Sequence, residues 1–142
     1  MTNSQAISVR LPGAVLDQLR RQAKAQGSTV SHLVITASDE FLKSRETPGI
    51  HFVDGPSGRR PRVVGGIDVW EIIAAFRGLE EPDEQAAIRE VAVGTGQPEA
   101  HVHIALDYYA HHREEIDEWI DENERAAAAA EQQWRARQAV LA

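Results

Sequence analysis

The stretch QAISVRLPG, residues Gln5–Gly13, alternates along its length and stops at a proline. In an extended chain Ile7, Val9 and Leu11 share one face, and Ala6, Ser8 and Arg10 share the other. Pro12 cannot donate a ladder hydrogen bond, but it suits the entry to a helix. Everything that follows up to residue 46 has helical spacing. A single short strand leading into helices has no mate in its own neighbourhood, and an unpaired edge is a liability. Its natural mate is the same strand of a second copy of the chain.

Downstream, GAVLDQLRRQAKAQG places Val15, Leu16, Leu19 and Ala23 at helical intervals, with Gly27 as the terminating glycine. In STVSHLVITASDEFLKSRE, Ser28 or Thr29 is available as N-cap. Val30, Leu33, Val34, Ala37 and Phe41 form the apolar stripe. A strand and two helices within about 46 residues bury too little surface to fold alone without disulfides, metal or oligomerisation. The chain has no cysteine, so dimerisation remains, with two strands pairing antiparallel about a two-fold axis. Ile7, Val9, Leu11, Leu33 and Phe41 are then the expected dimer core.

These pieces in this order resemble the ribbon-helix-helix family of repressors and antitoxins, the MetJ, Arc and CopG type. The resemblance rests on AISVRLP, AVLDQLRRQAKAQG and STVSHLVITASDEFL. It implies that the outward strand residues, Ala6, Ser8 and Arg10, contact bases of double-stranded operator DNA. It also implies that Thr29, Val30 and Ser31, opening the second helix, hold a phosphate. Physical chemistry agrees with both: a two-stranded ribbon fits the major groove, and Arg bonds guanine bidentately. A helix N-terminus offers unpaired N–H groups to an anion. With short side chains at Ala6 and Ser8, Arg10 becomes the main specifier.

The rest divides into two stretches, 47–112 and 113–142. GIHFVDGPSGRRPRVVGG reads as a small hairpin, Ile50–Val53 and Arg62–Val64 around a DGPSG turn. Asp68 is the expected cap of a helix through Val69, Ile72, Ile73 and Phe76, ending near Gly78. Asp83 caps another, with Ala87, Ile88, Val91 and Ala92 inward. GTGQPEA then turns into a helix whose expected stripe is Val102, Leu106 and Tyr109, giving a helix-turn-helix outline. From Arg113 onward there is neither glycine nor proline. Ile116, Ile120, Asn123, Ala127, Ala130, Trp134 and Leu141 follow four-three spacing along one long helix. The expected fold class is therefore mainly α with a short N-terminal strand, a β-hairpin, a helical bundle and a long last helix.

GRRPRVVGGIDVWEII and VHIALDYYAHHREEIDEWI are similar to a C-terminal module of VapB-like antitoxins. That resemblance implies a type II antitoxin which represses its own operon as a homodimer and neutralises a PIN-like ribonuclease toxin. The alternative is a stand-alone transcriptional regulator whose C-terminal bundle senses a ligand or oligomerises. A third reading is a scaffold whose head dimerises without reading DNA.

Charge distribution is consistent with two kinds of partner. The net charge is −7, yet residues 1–46 carry six Lys/Arg against four Asp/Glu, and the remainder nine against eighteen. Between Glu99 and Glu124 nine carboxylates face Arg113 alone. A basic head and an acidic tail suit nucleic acid at one end and a positive protein surface at the other. Ile116, Trp119, Ile120 and Trp134 are the expected anchors for the toxin, laid in a groove. The Arg59–Arg62 cluster could touch DNA flanks or pair with the acidic tail.

His101 and His103 point apart on a helix, as do His111 and His112, so no metal site is expected. No nucleophile motif, paired acid or phosphate loop suggests catalysis or a cofactor. The opening residues lack the apolar core of a signal peptide and no run reaches membrane-spanning length, so a cytoplasmic protein is expected.

Overall fold

The computed structural model describes residues 3–142. Among them are six helices and one antiparallel hairpin: α1 Gly13–Gln26, α2 Val30–Glu46, β1 Ile50–Gly55, β2 Gly58–Val63, α3 Val69–Phe76, α4 Glu84–Thr95, α5 Glu99–His111 and α6 Arg113–Leu141. The mainly helical class with a small hairpin is thus as expected. The chain falls into two units, Met1–Leu42 and Lys43–Ala142.

In the first unit, α1 ends where Gly27 enters the left-handed region at φ 63°. The next amide, Ser28, reaches back to the Ala23 carbonyl at 2.8 Å, closing the helix end. Thr29 starts α2: its hydroxyl accepts the His32 amide at 3.1 Å. Residues 3–12, before α1, form no strand within the single chain. A ladder takes its hydrogen bonds from a neighbouring strand, and the described residues of this unit include no second strand to supply them.

In the second unit the hairpin is longer and its turn tighter than the sequence suggested. Asp54 and Gly55 belong to β1, and Gly58 and Arg59 to β2, leaving Pro56 and Ser57 at the tip. Asp54 faces Arg59 in the register, and their side chains pair at 2.9 Å, which extends the ladder to its end. Ile50, Phe52, Pro61 and Val63 turn one face of the hairpin inward, with Ile50 and Val63 in the core. Pro61 is tolerated because a two-stranded sheet has only edges.

α3 is the centre of this unit, packing against α4, α5, α6 and β2. Its Val69, Ile72 and Ile73 are buried as expected, and so are Ala87, Ile88, Val91 and Ala92 of α4. Asp83 caps α4 by accepting the Ala86 amide at 2.8 Å. On α5 the buried stripe is Val102, Ala105 and Tyr108, with Leu106 and Tyr109 at its margin. Either stripe fits a helical period; the neighbours choose, because Tyr108 meets Phe52 edge-on and gives its hydroxyl to Glu115 at 2.8 Å.

α6 is a single 29-residue helix, as its uninterrupted sequence implied. A lone residue, His112 (φ −134°, ψ 46°), separates it from α5. Its ring packs on Tyr108 and its Nε2 meets Glu46 at 2.8 Å. The expectation that Ile116 and Ile120 anchor a partner is corrected here. Both are fully buried, one turn apart, in the same core as α3 and α5. Their apolar surface is already removed from water and cannot be offered to another protein.

Candidate functional site

Arg10, Ser8 and Ala6 are solvent-exposed, as are the apolar residues that alternate with them. Ile7 is 84% exposed and Val9 65%. Both faces of the segment are therefore open within one chain. Around it, Ala23 is the one buried residue among residues 3–42. Leu33 is half-buried, and Phe41, Ile35 and Leu42 are largely exposed. An unmasked apolar row of this kind is unusual for a surface that stays in water.

At the start of α2 the Thr29 hydroxyl is used by the helix itself, Val30 is half-buried and Ser31 is exposed. No acidic residue occupies the first turn, so nothing there opposes an anion.

The Arg59–Arg62 cluster does something that neither sequence-level alternative anticipated. Arg59 pairs with Asp54 across the hairpin. Arg60 and Arg62 both turn to Asp68, whose side chain is only 4% exposed. Arg60 Nε donates to Asp68 Oδ2, and Arg62 Nε to Oδ1 at 2.7 Å. Trp70 Nε1 adds a third bond at 3.3 Å. Asp68 was expected to cap α3 with its carboxylate; it holds the capping position but makes no side-chain cap bond. Two guanidiniums outcompete one backbone amide because each brings a full positive charge to a carboxylate oxygen, where the amide brings only a dipole. Arg60 reaches its position by crossing Gly55, where any Cβ would collide with its Nη1.

These residues border a cavity of about 340 Å³, with Trp119 and Asn123 of α6 and the hairpin tip completing its wall. Trp119, expected to face a partner, thus belongs to this wall and packs against the core.

No family model, curated protein or solved structure matches this chain.

The acidic stretch of α6 is partly spoken for. Arg77, just after α3, bonds Asp121 at 3.1 Å and Asp117 at 3.2 Å. The Asp121 bond chiefly raises the Arg77 pKa. Tyr109 donates to Asp117 at 2.9 Å, and burial first, then that bond, lifts its pKa above the ordinary 10.0. Beyond Asn123 every residue of α6 is exposed, including Trp134 (61%), Val140 and Leu141. Asn123 itself turns inward to bond the Trp119 carbonyl at 2.7 Å. The four-three seam is therefore divided: its first two positions fill the core and the last ones face solvent.

Among the histidines, His101 meets Gln97 at 3.0 Å and His111 the Asp107 carbonyl at 3.0 Å. No group of three or more ligating side chains is placed to hold a metal among the described residues. Nor is any helix among them long and apolar enough to cross a membrane.

Proposed function

We propose that this chain is a dimeric, operator-binding antitoxin of the ribbon-helix-helix kind, paired with a PIN-like ribonuclease toxin. The carrying observation is the open apolar row Ile7, Val9 and Leu11 in a unit that buries only Ala23 among its described residues. Burying each such side chain is worth roughly 1.5–3 kcal/mol, so pairing of two copies supplies the interior that one copy lacks. The pairing also sets Ala6, Ser8 and Arg10 of both copies on one outer face, with Arg10 reading guanine. Thr29, Val30 and Ser31 then hold phosphate at the start of α2.

Toxin neutralisation belongs to the distal part of α6. Trp134 and Leu141 lie seven residues apart on one helix face, both exposed, as anchors for a groove. The acidic turns before them favour encounter with a positively charged ribonuclease surface.

Two experiments test this. A gel shift on DNA upstream of the gene is expected to lose affinity with Arg10→Ala, and sedimentation to give a monomer with Val9→Asp. Unchanged DNA binding by Arg10→Ala at moderate salt refutes the base-reading role. For the tail, a truncation after Arg125 retains Ile116 and Ile120 and so keeps the core. It is expected to lose relief of toxin-induced growth arrest; full relief refutes the tail assignment.

A further inference from the structure

The cavity beside the hairpin tip is unused by DNA reading and by the distal part of α6. Its chemistry is unusual for a purely structural ion pair. Arg60 and Arg62 each spend Nε on Asp68, and neither guanidinium makes a further hydrogen bond among the described residues. Their side chains are 20% and 35% exposed, half-withdrawn from water. Each retains four N–H donors on its two terminal nitrogens. Asp68 thus acts as a clamp: it fixes two forks side by side and cancels one of their two charges. A fixed guanidinium edge matches a planar carboxylate in two parallel bonds, and preorganisation removes much of the ordering cost.

The remaining wall selects further. Trp70 and Trp119 supply flat apolar surface that suits a ring. Glu71 lines the same cavity and adds a negative charge. With Arg60, Arg62, Asp68 and Glu71 the lining is neutral in sum, so it supplies no net attraction to offset the desolvation cost of an ion, a cost far larger for a dianion than for a monoanion. About 340 Å³ lies at the small end of ligand cavities, suiting one ring and its acid group.

We propose that this cavity binds a small aromatic carboxylate, its acid group on the terminal nitrogens of Arg60 and Arg62 and its ring against the tryptophans. The site lies wholly within the second unit and does not depend on the antitoxin reading.

The test uses the full chain and three probes: benzoate, its neutral isostere benzamide, and phenyl phosphate as the dianion. Binding is read by calorimetry, and by tryptophan emission in a Trp134→Phe background, so that Trp70 and Trp119 report alone. Benzoate is expected to bind saturably, with benzamide and phenyl phosphate each weaker by about tenfold or more, roughly 1.4 kcal/mol. Arg62→Gln is expected to weaken benzoate by a similar factor. Glu71→Gln, outside the Asp68 clamp, is expected to keep benzoate binding and to narrow the penalty on phenyl phosphate. This second variant keeps the test decisive if Arg62→Gln fails to fold. Absence of saturable benzoate binding up to about 10 mM overturns the proposal. So does benzamide binding as tightly as benzoate, or a Glu71→Gln protein whose preference between the two anions is unchanged.

Discussion

Truncating Ile120 separates the two roles that α6 could give its apolar residues. In Ile120→Ala three carbons leave a fully buried position beside Ile72, Ile116 and Tyr108 in the shared core. Transfer alone costs about 0.8 kcal/mol per carbon, or roughly 2.4 kcal/mol. A cavity term adds to this, because α3 and α5 are held by their other contacts and cannot close in fully; buried Ile→Ala changes span about 2–5 kcal/mol. A loss of about 3 kcal/mol in a unit of this size lowers the melting temperature by roughly 15 °C. Trp134→Ala removes a larger side chain from a position that is 61% exposed. It is expected to change stability by less than about 0.5 kcal/mol. Thermal melts followed by circular dichroism compare the two directly. If Ile120→Ala melts within a degree or two of the parent, the core assignment fails. If Trp134→Ala melts far below it, the distal part of α6 is packed in solution and the anchor reading is refuted.

Asp83→Ala should cost about 1 kcal/mol by leaving the Ala86 amide without its cap, seen as a shifted urea midpoint with an unchanged slope. Tyr108→Phe deletes the hydroxyl bonded to Glu115, which also pairs with Lys43 at 3.3 Å. Because Glu115 keeps that partner and part of its solvent contact, the expected loss is about 1 kcal/mol in the same assay. Tyr109 has a folded-state pKa raised above 10.0, by burial first and the Asp117 bond next, so its contribution is intact below that pH and is lost as pH rises through the raised value. Tyr109→Phe is therefore expected to lose less stability than the parent between about pH 9 and pH 11, and equal losses would refute this. Gly55→Ala should displace Arg60 from Asp68 and lower stability, while the same change at Gly94, where a Cβ meets open space, should not.

Local chemistry made much of the fold legible. The glycine closing α1, the Thr29 and Asp83 caps, the buried faces of α3 and α4, and the uninterrupted α6 are settled by residues within a few positions of one another. Spacing, a hydroxyl, a carboxylate or a missing Cβ suffices for each. The candidate cavity was not legible in that way. Asp68 could bond the amide of its own helix or guanidiniums six and eight residues earlier, and sequence spacing favoured the helix. Only the antiparallel hairpin, by bringing Arg60 and Arg62 back beside Asp68, made the stronger acceptor–donor set available. Likewise a four-three seam records which residues share a helix face, not how far along the helix a neighbour reaches. Ile116 and Ile120 lie within reach of α3 and α5 and became core; Trp134 and Leu141 lie beyond it and face water. Periodicity fixes direction around an axis, whereas burial depends on what the rest of the chain brings alongside.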